Sequence, residues 1–131
     1  MVDATSPFKV LLVENGRTAR AVMTQSLEDK GYAVTAVSNG KEAIDAVRST
    51  PYDLVIMDLY MPEMNGHEAT KQIRQFSQVT VIGLSASNEA QDAQLCRDSG
   101  MNEFILKSDT QDGLLATLAR YAQAKKPPSC L

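Results

Sequence analysis

The sequence predicts an α/β fold, a doubly wound (βα)5 three-layer sandwich built on a five-stranded parallel sheet. Short apolar runs alternate along the chain with stretches of helical spacing. Strict alternation of strand and helix implies parallel strands joined by right-handed crossovers. The 131 residues are enough for one hydrophobic core and too few for a second, so we expect one domain.

Five apolar, β-rich runs predict the strands, because each is short and bounded by polar or turn residues. They lie at Phe8–Val13, Ala33–Val37, Leu54–Met57, Val79–Leu84 and Phe104–Leu106. The third run has no polar residue in alternation, which is expected of a central strand covered by helices on both faces. The sheet is therefore predicted to lie between two layers of helices.

A stretch with apolar residues at helical spacing follows each predicted strand. The first apolar positions of these stretches are Ala19, Ala43, Ala69, Ala90 and Leu114. Asp109, with Asp112 three residues later, resembles an N-cap pair that starts the last helix. Residues 1–7 and 125–131 lack periodicity, so we predict a domain over 8–124 with flexible termini or linker remnants.

Composition and charge exclude several classes of protein. The formal net charge is -3 and the basic residues are scattered, which argues against a nucleic-acid-binding surface. The sequence shows no secretory leader and no apolar run of membrane-spanning length, so we expect a cytoplasmic protein without direct membrane contact. Cys96 and Cys130 lie in unrelated settings, which favours reduced thiols over a disulfide framework.

Charged and polar residues stand at the ends of four predicted strands. They are Glu14 and Asn15 after the first, Asp58 after the third, Ser85 after the fourth and Lys107 after the fifth. Ligands of an open parallel sheet bind beyond the carboxyl ends of its strands, so these residues are expected to meet. A carboxylate can carry an aspartyl phosphate, a hydroxyl and an ammonium can neutralise phosphoryl oxygens, and oxygen ligands can hold Mg²⁺. The pattern predicts a phosphoryl-transfer site.

Four segments, in this order and at this spacing, match a known family. They are Val10–Glu14, Asp53–Gly66, Leu84–Ala86 and Ser99–Lys107. On these segments the chain resembles the receiver domain of two-component response regulators, most specifically along Asp53–Gly66. The resemblance implies the strand order 2-1-3-4-5 of the chemotaxis regulator. The stretch Cys96–Lys107 looks closest to receivers of hybrid sensor histidine kinases.

The resemblance implies a role for each strand-end residue. Asp58 would accept a phosphoryl group, Lys107 and Ser85 would contact its oxygens, and Ser85 and Phe104 would form the switch. The donor would be a histidine kinase or histidine phosphotransfer protein, and an output domain or protein would act downstream. His67 is the only histidine, so the phosphodonor histidine must lie in another protein.

The implied magnesium ligands are Glu14, Asn15, Asp58 and the backbone carbonyl of Tyr60. Active receivers usually carry a second acid where Asn15 stands, so we expect weakened Mg²⁺ binding, because one unit of negative charge is missing. The family usually has a proline joined through a cis peptide bond after the lysine. Ser108 stands there, and we predict a trans bond, because a cis bond before a residue other than proline costs roughly 2.5–4 kcal/mol.

Two other functions stay open at this point. The departures at Asn15 and Ser108 allow a degenerate receiver, a protein-interaction module that works without phosphorylation. A phosphohydrolase of the haloacid dehalogenase type also uses a strand-end Asp, but its Asp-x-Asp motif follows the first strand, whereas Tyr60 occupies the second acid's place here. Under the receiver hypothesis, self-phosphorylation and slow autodephosphorylation at Asp58 are the only enzymatic activities we expect, although the parent of an excised hybrid-kinase receiver would be a histidine kinase.

Overall fold

The computed structural model describes residues 7–85, 90–107 and 113–125, and strands and helices alternate strictly within these ranges. The elements are β1 (Lys9–Val13), α1 (Arg17–Asp29), β2 (Ala33–Val37), α2 (Gly40–Ser49), β3 (Leu54–Asp58), α3 (Gly66–Ile73), β4 (Thr80–Ser85), α4 (Ala90–Ser99), β5 (Glu103–Leu106) and α5 (Leu115–Lys125). None of these helices combines the length and apolar character needed to cross a bilayer. The trans bond predicted at Ser108 and the cap predicted at Asp109 and Asp112 lie outside the described residues.

The sheet has five parallel strands in the order β2-β1-β3-β4-β5. This confirms the predicted doubly wound α/β class and strand order. All five residues of β3 are buried, as the unbroken apolar run predicted. β3 and β4 each run one residue further than predicted, because Asp58 pairs with Leu84 and Ser85 pairs with Leu106 in the ladder. Both polar side chains therefore stand on regular strand.

The two faces of the sheet build separate cores, because successive side chains on a strand point to opposite sides. Val55 and Met57 pack with residues of α2, α3 and α4, and we call this cluster the α2/α3/α4 core. Leu54 and Ile56 pack with Leu27 of α1 and with residues of and beside α5, which we call the α1/α5 core. The three-layer sandwich is thus confirmed.

The segment between β3 and α3 folds back tightly onto the end of β3. The backbone N–H of Gly66 donates to the carbonyl of Leu59 at 2.8 Å, and Asn65 N–H donates to the Glu68 carboxylate at 3.0 Å. A Cβ on Gly66 would overlap the backbone carbonyl oxygen of Asp58. Only glycine allows this approach, so the helix start and the strand end hold each other in place.

We predict that Gly66→Ala lowers the free energy of unfolding by roughly 1–3 kcal/mol or more, because the added methyl group meets fixed backbone. Gly40→Ala is the matched control, since Gly40 also begins a helix but its Cβ would meet only side chains, Met64 Sδ at 3.1 Å and Ala69 Cβ at 3.2 Å, and no backbone atom at closer range. Urea unfolding of both variants checks the prediction. Equal losses in the two variants would contradict it.

Candidate functional site

Three of the predicted site residues project from one face of the sheet at its carboxyl edge. Glu14 follows β1, Asp58 ends β3 and Lys107 follows β5. Each comes two residues after a member of the α1/α5 core, and strand alternation therefore sends all three side chains toward that face. The core residues are Leu12, Ile56 and Ile105. Residues far apart in the chain thus converge because their strands share a direction.

Lys107 bridges the two acids. Its Nζ lies 3.0 Å from Asp58 Oδ2 and 3.5 Å from Glu14 Oε1. Glu14 and Asp58 are both 3% exposed, whereas the Lys107 side chain is 37% exposed. The predicted nucleophile and the predicted ammonium therefore form one buried cluster that opens to solvent on the lysine side.

The charges of this cluster do not cancel, because one ammonium faces two carboxylates. Burial and the nearby Glu14 charge raise the pKa of Asp58, and hydrogen bonds from Lys107 and the Tyr60 backbone N–H only partly offset them. Burial alone would lower the pKa of Lys107, but the hydrogen bonds and charges of Asp58 and Glu14 outweigh it and raise that pKa. The cluster thus favours a further positive charge.

The residues around the two acids suit a hard, oxygen-ligated cation. Glu14 Oε2 accepts from Gly16 N–H at 2.9 Å, and the Arg20 guanidinium donates to the carbonyls of Glu14 and Asn15, which fixes the loop after β1. Asn15 is exposed at the edge. No group of three or more His, Cys, Asp or Glu in the described ranges could hold a metal. A cation there would depend on two acids, amide and carbonyl oxygens, and water, which Mg²⁺ accepts.

Ser85 lies at the predicted edge, but its hydroxyl points to the other face of the sheet. Ser85 lies four positions after Val81 on β4, so the two side chains point to the same face, and Val81 belongs to the α2/α3/α4 core. Its Oγ donates to Asp92 Oδ2 of α4 at 2.6 Å, and the Tyr60 hydroxyl donates to Asp92 Oδ1. Sequence reasoning missed Asp92, whose one visible signal was an acid in the first turn of a helix, a position usually explained by the helix dipole.

Phe104 lies on β5 and is half-buried against the α2/α3/α4 core. It therefore shares with Ser85 the face opposite the acid cluster. The structure shows its packing in one arrangement, and its switch role stays a prediction.

A family model described as "Response regulator receiver domain" matches residues 10–119. A curated relative, hybrid signal transduction histidine kinase B of Dictyostelium discoideum, is 34% identical over 128 residues, covering 86% of this chain and 6% of the relative. Across eight curated relatives the chain spans between 6% and 49% of their length. The similarity to these longer proteins is thus confined to a part of each.

Two solved structures have the same fold. The receiver domain of a Pseudomonas aeruginosa sensor histidine kinase, with a magnesium ion coordinated in its active site cleft, is 30% identical with a TM-score of 0.83, covering 90% of this chain and 99% of that one. A chain from the Saccharomyces cerevisiae complex of the histidine phosphotransfer protein Ypd1 with the receiver domain of Ssk1 is 25% identical with a TM-score of 0.87. It covers 93% of each chain.

We predict that Asp58→Asn stabilises the protein at neutral pH, raising the Tm by roughly 3–5 °C, or ~1 kcal/mol. The pKa of Asp58 is higher in the folded than in the unfolded protein, so folding favours the protonated carboxyl. The contribution of Asp58 to stability is therefore present at low pH and is lost as pH rises through the folded-state pKa. The advantage of Asp58→Asn should therefore fade below about pH 4. Thermal unfolding across pH checks this, with Asp45→Asn, an exposed acid of α2, as control. A variant less stable than wild type at neutral pH would contradict it.

Proposed function

This chain belongs to the response regulator receiver domain family, and we propose that it accepts a phosphoryl group on Asp58 from a phosphohistidine of another protein. One observation carries the assignment to Asp58. It is a buried carboxylate at the end of the central strand, 3.0 Å from an ammonium and beside a second acid. Aspartyl phosphate chemistry needs such a nucleophile together with neighbouring positive charge.

The transfer itself requires little chemistry from the protein. A carboxylate oxygen of Asp58 bonds to phosphorus while the phosphorus–nitrogen bond of the donor breaks, and the histidine nitrogen leaves with the electron pair and takes a proton from solvent. Lys107 neutralises part of the charge on the phosphoryl oxygens, because its ammonium already lies beside Asp58. Positioning and electrostatics are therefore the contribution of this site.

We propose that Glu14, Asn15, Asp58 and the backbone carbonyl of Tyr60 hold Mg²⁺. The ion would supply the positive charge that the two acids and one lysine lack. Asn15 contributes an amide oxygen without a negative charge, so the affinity for the ion should be lower than with an acid in its place.

The similarity to chains from kinases and from a phosphotransfer complex supports a proposal for the partner. We propose a histidine phosphotransfer protein or the phosphohistidine of a kinase as donor, since a relative is a hybrid histidine kinase and a structural neighbour comes from a complex with Ypd1. On this proposal the surface formed by α4, β5 and α5 would pass the signal to an output domain or protein.

A degenerate receiver that binds a partner without phosphorylation is the second candidate. Asn15 favours it because only two acids remain to bind a cation, and Lys107 already neutralises one of them at rest. Whether the chain gains a phosphoryl group from acetyl phosphate separates the two functions.

Incubation with acetyl phosphate and Mg²⁺ is expected to add one phosphoryl group, read by intact mass. Asp58→Asn should remove the gain because the nucleophile is gone, whereas the exposed control Asp45→Asn should retain it. A wild-type chain that gains no mass from acetyl phosphate or from a phosphorylated histidine phosphotransfer protein would favour the degenerate receiver. Turnover of a phosphomonoester substrate would instead favour the phosphohydrolase.

Asn15→Asp is expected to lower the Mg²⁺ concentration needed for half-maximal phosphorylation by about tenfold, because it restores a negative charge beside the cation. The measurement is the initial rate of mass gain at fixed acetyl phosphate over a series of Mg²⁺ concentrations. Gln123→Glu, exposed on α5, adds the same charge away from the site and should leave the midpoint unchanged. A midpoint unaffected by Asn15→Asp would remove Asn15 from the ligand set.

A further inference from the structure

A polar bridge connects the loop after β3 to the end of β4 through a buried acid of α4. Asp92 is 3% exposed and accepts two hydroxyl hydrogen bonds, from Ser85 at 2.6 Å and from Tyr60 on its other oxygen. Tyr60 follows Asp58 by two residues and is 50% exposed. We call Tyr60, Asp92 and Ser85 the hydroxyl bridge.

The bridge follows from the direction in which the strand sends Ser85. Leu84 pairs with Asp58 in the sheet, so Ser85 is the next residue along and its side chain starts on the opposite face. Asp92 meets the hydroxyl there. The Ser85 hydroxyl is therefore held toward α4 and away from the face that carries the acid cluster.

A serine hydroxyl has one proton to donate. While it donates to Asp92, it cannot donate to a phosphoryl oxygen on Asp58. Asp92 and the phosphoryl group therefore compete for the same hydrogen bond, and both are anionic acceptors of the stronger kind. Contact of Ser85 with the phosphoryl group requires that the bond to Asp92 break.

We propose that Asp92 is a positioning residue that holds the Ser85 hydroxyl in the unphosphorylated protein, so that phosphorylation of Asp58 proceeds at the expense of the hydroxyl bridge. This inference rests on the proposed function, because it assigns a second acceptor to the same serine. Release of Ser85 leaves α4 attached to the loop after β3 through Tyr60, and the first half of α4 loses one of its ties to the sheet. The chemistry at Asp58 thereby reaches a helix on the opposite face.

The first test compares Asp92→Asn in two backgrounds. The amide keeps the shape of the carboxylate and is a weaker acceptor, so we expect the initial rate of phosphorylation by limiting acetyl phosphate to rise about fivefold. In the Ser85→Ala background the same substitution should leave the rate unchanged. Asp98→Asn, at an exposed acid of the same helix, is the control.

The second test needs no phosphorylation. Amide hydrogen exchange of residues 92–96 in the unmodified protein should accelerate by severalfold in Ser85→Ala and in Tyr60→Phe, because each removes one hydroxyl from Asp92. A merely structural role for Asp92 would change stability but would not make the rate effect of Asp92→Asn depend on Ser85.

Three outcomes overturn the proposal. These are an equal rate change from Asp92→Asn in both backgrounds, no rate change in either, and unaltered exchange of α4 in both hydroxyl variants. If wild type is not phosphorylated at all, the proposed function fails by itself. The exchange experiment then decides the bridge, with acceleration in both variants supporting it and no acceleration rejecting it.

Discussion

The site depends on one lysine placed between two buried acids. Lys107 contacts both Asp58 and Glu14, and it can do so because β1, β3 and β5 end at one edge with their alternation in phase. Removing charges from water is costly, and a single ammonium compensates two carboxylates incompletely. The resting protein therefore has one uncompensated negative charge at the point where a cation and a phosphoryl group are proposed to bind. The uncompensated charge favours binding of a cation at the site, and it lowers the stability of the folded protein when no cation is bound.

The pleat of the sheet divides the candidate functional residues between its two faces. The acids and Lys107 lie with the α1/α5 core, whereas Ser85 and Phe104 lie with the α2/α3/α4 core. Under the proposed function, phosphorylation on the first face would reach the second through a residue at the boundary between them. Ser85 occupies that boundary, because it is the last residue of β4 and its partner on α4 is a side chain. Under the proposed function, Ser85 would therefore connect the acid cluster to α4.

The fold and the acid cluster could be predicted because they follow from local patterns. Alternating apolar runs gave the strands, parallel topology brought their ends together, and the Asp53–Gly66 motif identified Asp58 among several strand-end residues. The hydroxyl bridge could not be predicted in this way. Tyr60 and Asp92 are 32 positions apart, and their contact depends on how α4 packs on the sheet. Strand alternation determines the face on which the Ser85 side chain starts, but its partner Asp92 depends on the packing of α4, so the position of Ser85 was predictable and its partner was not.

The crowding between Gly66 and Asp58 limits how the loop after β3 can vary. The hydrogen bond from Gly66 N–H to the Leu59 carbonyl closes segment 59–66 into a loop. A Cβ on Gly66 would overlap Asp58, so the two ends of the loop are packed tightly together. Surface loops ordinarily tolerate insertions. In this loop an inserted residue would have to fit between two fixed ends, which would shift the Tyr60 backbone relative to Asp58. The length of segment 59–66 is thus constrained by its two ends as well as by the residues within it.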